Sequence, residues 1–146
     1  MRALVGSRSL ILPGASVLVV DGRGYILLQR RADSGLWGVP GGMMEPGESI
    51  EETARRETRE ETGLEIGALE SYGVFSGPAY FHRYPNGDEV YNLTVAFVAA
   101  AFPGQLRADG GESLEVRFFP PDALPEDLSP PIADYLRRFA GERSAR

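Results

Sequence analysis

Three glutamates, Glu57, Glu60 and Glu61, stand at i, i+3 and i+4 in a segment whose composition favours helix, so their carboxylates project from one side. Within helical reach Glu57 meets Thr53, Ala54, Glu60 and Glu61, and Glu61 meets Glu57, Thr58, Leu64 and Glu65. Neither has a basic neighbour at those spacings, and each like-charge pair costs roughly a few tenths of a kcal/mol. The cluster also sits toward the helix C-terminus, where the macrodipole disfavours negative charge. Carboxylates placed against both rules call for an external cation. All-oxygen ligands select a hard one, Mg²⁺ or Mn²⁺, which keeps positions open for water and phosphate. Part of the segment reads instead as a solvated face: Glu51 and Glu52 precede Arg55 and Arg56 by four residues, the favourable order for helical ion pairs.

The missing residue types narrow the chemistry further. No cysteine is present, which excludes disulfides, thiolate zinc sites, iron–sulfur clusters and cysteine nucleophiles. All 15 basic residues are arginine, which removes a P-loop lysine, Schiff-base chemistry and a lysine general base. A single histidine, His82, rules out multi-histidine metal sites. A formal net charge of −6 opposes binding to a nucleic-acid polymer, whereas small anionic substrates remain approachable if cations mediate the contact. Met1–Leu12 has no apolar core followed by a cleavage site, and the apolar run 15–20 is far short of the ~20 residues that span a bilayer. The expectation is a soluble cytoplasmic protein with no membrane partner. The 146 residues fit one domain, 1–146, and leave a homodimer open.

Gly42, five residues, Glu48, seven residues, then Arg56-Glu57-Thr58-Arg59-Glu60-Glu61-Thr62-Gly63-Leu64 resembles the Nudix box, GX5EX7REUXEEXGU, with every fixed residue in place. The one departure is Thr58, where the pattern prefers a bulky aliphatic residue. The flanks are similar too: Leu36–Gly42 ahead of the box and Glu115–Phe119 near the end. The resemblance implies a Nudix α/β/α sandwich with a mixed β-sheet, a loop–helix–loop box, and Mg²⁺-dependent hydrolysis of a pyrophosphate linkage in a small nucleotide. The substrates that the resemblance implies are a nucleoside triphosphate, ADP-ribose or a dinucleoside polyphosphate. It further implies Glu57, Glu60, Glu61 and the Gly42 carbonyl as metal ligands, with Mn²⁺ able to substitute. Glu48 assists at the metal or pairs with Arg56, and Arg56 orients the carboxylates. Bound metal would neutralise phosphoryl oxygens and acidify a water, and a carboxylate would take its proton. Glu60 or Glu61 could be that base, as could Glu112 or Glu115 from a later loop. A rival from another class is a Nudix-fold module that senses a nucleotide without cleaving it, although such a sensor has no need of the full carboxylate set.

Substrate selection must come from outside the box. Arg30 and Arg31 close a strand, and alternation sends them to opposite faces. Arg30 is the chosen phosphate contact. Tyr80 is the chosen base-stacking residue, because it follows the bend at Gly77-Pro78; Phe81 and Tyr84 are close by. Trp37 reads better as a structural anchor under the box.

The elements that must position these groups follow from local signals. Leu10–Leu12 and Ala15–Val20 read as extended, and Asp21–Gly24 as a turn before a returning strand, Tyr25–Gln29. Pro40-Gly41-Gly42 reads as a backbone turn. Ser49 with Glu52 three residues on makes a capping box, and Gly63 is a natural stop, so the helix runs from 49 to 62. Strands are expected over 65–75 with a bend at Gly73, over 80–84 and 90–102 joined by Pro85–Asp88, and over 114–119. A terminal helix spans Pro130–Phe139 with Ile132, Tyr135, Leu136 and Phe139 on one face. The strand–helix alternation of a doubly wound fold is missing, which leaves a mixed α/β sandwich.

Overall fold

Strand β1 (Leu10–Val20) runs through Pro13-Gly14 without a break and pairs in parallel with β7 (Glu89–Ala100) along its whole length. The sequence suggests two pieces, because proline gives no N–H to a ladder. The Pro13 carbonyl instead accepts from Met44 N at 3.1 Å, and pairing resumes beyond it. The computed structural model describes residues 9–83 and 86–144. Tyr84 and Pro85, and the part of Met1–Leu12 before residue 9, lie outside the described residues.

The other strands are β2 (Ile26–Arg31), β3 (Trp37–Gly38), β4 (Gly41–Met43), β5 (Glu70–Phe75), β6 (Phe81–Arg83) and β8 (Ser113–Phe119). They form one mixed sheet with the path β3-β2-β1-β7-β5, to which β4 adds on β1, β6 on β7 and β8 on β2. The segment read as a turn at Gly41-Gly42 is the short strand β4, in register with Gly14–Ser16 of β1. The expected bend at Gly73 is a register shift between Ser71 and Gly73.

Helices α1 (Ile50–Thr62) and α2 (Pro130–Ser144) cover opposite faces. Alternation along β2 divides the core between them. Ile26 and Leu28 join Trp37, Phe119, Leu136 and Phe139 on the α2 side, whereas Leu27 joins Val17, Val19, Ala54 and Leu64 on the α1 side. The result is the expected α/β/α sandwich. Trp37 is buried in the α2-side core, edge-on to Phe119 at 4.9 Å, and so anchors the sheet on the face away from the box helix.

Candidate active site

Local signals place α1. Ser49 Oγ accepts from Glu52 N at 3.1 Å, and Glu52 Oε1 accepts from Ser49 N at 3.0 Å, closing the capping box. Gly63 ends the helix at φ 79°, a left-handed conformation that favours glycine. The inner face is small and polar: Thr53, Ala54, Thr58 and Thr62 are fully buried. Thr58 Oγ1 donates to Ala54 O at 2.8 Å and Thr62 Oγ1 to Thr58 O at 2.6 Å, so the threonines satisfy themselves on the preceding turn. This is how the helix accommodates Thr58, the departure from the box.

Arg56 ties the acidic segment together. Its Nε donates to Glu48 Oε2 at 2.5 Å and its Nη2 to Glu48 Oε1 at 3.0 Å and Met43 O at 3.1 Å. Its Nη1 donates to Glu57 Oε1 at 2.7 Å and Glu60 Oε2 at 3.3 Å. The fork holds the Glu48 carboxyl down at about 2, with help from Glu45 N and Thr53 Oγ1. The expected helical ion pairs give way to other partners: Glu52 caps Ser49, and Arg55 Nη1 reaches Ile66 O at 2.8 Å.

Glu57 and Glu61 look into a cavity of ≈ 770 Å³, which Gly42, Arg31, Glu45 and Glu112 also line. A Cβ on Gly42 would stand 2.5 Å from the Glu57 carboxyl carbon, so any side chain here would displace that carboxylate from its present position. Glu61 is 3% exposed. Its Oε1 accepts from Gly41 N at 2.8 Å and from Gln29 Nε2 at 3.1 Å, both neutral donors. Burial pushes the Glu61 carboxyl up to about 8, with the nearby Glu57 charge adding to the rise. Burial also raises Glu57, against the pull of Arg56. One buried carboxylate, Glu61, and one half-buried, Glu57, thus share one wall, and only Glu57 has an arginine partner. The donor set is all oxygen, which fits a hard divalent cation.

Other residues singled out in the sequence fall on and off this wall. Glu112 lines the cavity, at the end of a loop in which Asp109 Oδ1 accepts from the backbone N–H groups of Gly111, Glu112 and Ser113, each at 2.9 Å. Glu115 does not; it pairs across the sheet with Arg30 and lies 3.8 Å from Arg117. Glu60 is half exposed and turned toward Arg56. Accordingly, among the described residues no three His, Cys, Asp or Glu side chains are grouped so that together they could hold a metal ion. Arg30 is off the cavity, whereas Arg31 lines it, held by Asp33 through bonds of 3.1 and 3.0 Å. Alternation decides this: Leu27, Gln29 and Arg31 share the α1 face, and Arg30 faces α2. Tyr80 is off the cavity as well, 6.2 Å from the ring of Phe75, which stacks on Tyr135 at 4.5 Å.

Sequence reasoning missed Gln29, Asn92 and Ser113. Gln29 is a buried amide inside an apolar strand, a signal that could have flagged it. Asn92 lines both the main cavity and an adjoining cleft of ≈ 220 Å³ bounded by Thr94, Ser16 and Tyr135. Among the described residues no helix is long and apolar enough to cross a membrane.

The family model for the NUDIX domain matches residues 11–139. The chain is 37% identical over 117 residues to the putative 8-oxo-dGTP diphosphatase of Bacillus subtilis (strain 168), spanning 80% of this chain and 72% of that protein. It is 34% identical over 125 residues to the ADP-ribose pyrophosphatase of Methanocaldococcus jannaschii, spanning 82% of this chain and 70% of that one. A crystal structure of a MutT NUDIX hydrolase from Burkholderia pseudomallei matches with a TM-score of 0.71 at 26% identity, over 91% of this chain and 97% of that chain.

Proposed function

The chain belongs to the Nudix family of pyrophosphohydrolases, and from that premise we propose that it cleaves a pyrophosphate linkage in a small nucleotide with Mg²⁺ as its cofactor. The observation that carries this reading is the pairing of Glu61, buried and bonded by neutral donors, with Glu57 on one cavity wall. Residues 1–146 are read as a single domain. The substrate classes to test first are those named for the relatives: an oxidised purine deoxynucleoside triphosphate and ADP-ribose.

Glu57, Glu61 and the Gly42 carbonyl would hold the cation, with Glu60 joining once it leaves Arg56; Mn²⁺ should substitute. When bound, the cation neutralises phosphoryl charge and acidifies a water. Arg56 positions the acids by fixing Glu48 and Glu57 at once. Arg31 supplies the cationic side chain on this cavity, whose other charged lining residues are all acidic, and so gives a substrate phosphate a partner. Glu112 is the favoured general base, because its loop is anchored and its side chain borders the same space. The adjoining cleft at Asn92, Thr94 and Tyr135 would take the part of the substrate beyond the phosphates.

The test is the appearance of nucleotide cleavage products, resolved by chromatography, from 8-oxo-dGTP, dGTP, ADP-ribose and a dinucleoside polyphosphate, with Mg²⁺, Mn²⁺ or EDTA. Metal-dependent turnover of at least one, lost in Glu61→Gln, supports the reading. Turnover that survives EDTA, or none on any compound, overturns it.

A further inference from the structure

Behind Glu61 lies a buried polar chain that the box does not contain. Gln29 is 1% exposed and Ser113 0%. Gln29 Nε2 donates to Glu61 Oε1 at 3.1 Å and to Val39 O at 3.3 Å, and Ser113 Oγ donates to Gln29 Oε1 in a short bond. The direction of this chain follows from what each end can do. A carbonyl and a carboxylate only accept, so the Gln29 nitrogen must face Val39 and Glu61. The amide oxygen is then turned to Ser113, whose hydroxyl must supply the proton. Every polar atom of Gln29 is used.

The sheet is built to make this contact. Register slips between Arg30 and Arg31 where β2 meets β8, and Ser113 falls opposite Arg31 as a result. Such an irregularity re-aims side chains next to a site. Ser113 is also the residue after Glu112, and its own N–H is held by Asp109.

We propose that Gln29 and Ser113 are positioning residues that commit Glu61 Oε1 to the protein and leave Oε2 for the cation. The relay also ties the loop carrying Glu112 to the carboxylate wall, so the two acidic groups are set by one buried connection. This rests on the metal-site reading above. Its logic is that of an outer-shell partner: a carboxylate with one oxygen pinned presents the other in one direction, and loss of such partners typically lowers metal affinity about 10- to 100-fold.

The experiment is Mn²⁺ binding to the substrate-free chain by calorimetry, well below the thermal midpoint of each variant. Gln29→Met removes the donors at similar volume and should weaken binding about tenfold. Ser113→Ala should weaken it in the same direction by less. Leu27→Val, a core change on the same face two residues away, is the control and should leave affinity within about twofold. Native-like affinity in folded Gln29→Met and Ser113→Ala overturns the relay while leaving the metal site standing. An equal loss in Leu27→Val also overturns it, since the effect is then general packing. No Mn²⁺ binding by the native chain overturns both the relay and the function it rests on. If neither relay variant folds, the side-chain NH₂ signals of Gln29, one of only two glutamines, decide the matter in the native chain. They should shift in proportion to Mg²⁺ occupancy, and signals that stay fixed overturn the proposal.

Discussion

Arg56 grips Glu48 with two parallel bonds, Nε to Oε2 at 2.5 Å and Nη2 to Oε1 at 3.0 Å, while the third nitrogen of the same guanidinium reaches Glu57 at 2.7 Å. One planar cation thus sets the distance between two acids eight and one residues away. Lysine offers a point charge and cannot satisfy both. Arg56→Lys should therefore retain the fold and lose about 10- to 100-fold in kcat/KM, the range typical of lost outer-shell partners. Steady-state kinetics checks this, and activity within twofold of the parent would leave Arg56 as a surface charge only.

The same lever should be visible in pH. Glu61 has its carboxyl raised by burial to about 8, against 4.5 for the ordinary group. Between those values the metal-free folded chain holds a proton that the unfolded chain has released, so this contribution is full below about 4.5 and is lost as pH rises toward 8. The slope is at most about 1.4 kcal/mol per pH unit. Glu48 acts in the opposite sense: held down at about 2, it favours the fold above 4.5 and loses that contribution as pH falls. Thermal melts in EDTA should thus decline from pH 5 to 8. Added Mg²⁺ should flatten the decline by favouring the ionised acid.

Glu57→Gln and Glu61→Gln should each abolish most hydrolysis without unfolding the chain. In EDTA at pH 8 their midpoints should hold or rise, because each removes a charge from a repulsive pair. At position 61 glutamine keeps an oxygen to accept from Gly41 and Gln29. Full activity in either variant, or a collapse in its melting temperature, would remove these residues from the metal site.

Ser49→Ala takes away the hydroxyl half of the capping box and should cost about 1 kcal/mol. Chemical denaturation measures it. Activity should drop only modestly, since Arg56 and Glu48 still fix the acids; a loss as large as that of Glu57→Gln would mean that Ser49 does more than cap.

Where a feature depends on near neighbours, it was legible in the sequence. Ser49, Glu52 and Gly63 mark the helix ends because caps are local, and the box spacing marks Glu57 and Glu61. Reach across the fold was harder to read. Arg56 meets Glu57 although consecutive residues point apart on a helix, through the same guanidinium that holds Glu48. Arg55 leaves its expected partner for Ile66 O, a carbonyl beyond the end of the helix. In the sequence Gln29 is only the polar end of the strand Tyr25–Gln29. Its meaning appears only when Ser113, 84 residues away, is folded against it. The choice between Arg30 and Arg31 needed the same knowledge: alternation says that they part, but not which face α1 covers.

That choice yields the last prediction. Arg31 lines both the main cavity and the adjoining cleft, and Asp33, also on the main cavity, holds its guanidinium with two bonds. Arg30 faces α2, and its Nε is buried without a hydrogen-bond partner. Tyr80 belongs to an aromatic row with Phe75 and Tyr135 rather than to the cavity wall. Arg31→Ala should raise KM about tenfold, equivalent to about 1.4 kcal/mol, with a smaller change in kcat. The effect should extend to inorganic tripolyphosphate, because a phosphate contact does not need the base. Asp33→Asn should show a weaker version by loosening the guanidinium. Arg30→Ala and Tyr80→Ala should leave KM near its parent value on both compounds, and Tyr80→Ala should lower the melting temperature through lost packing. Should Tyr80→Ala instead raise KM for the nucleotide and spare tripolyphosphate, the base would stack on that ring, and the substrate would extend toward α2 past the cleft assigned to it here.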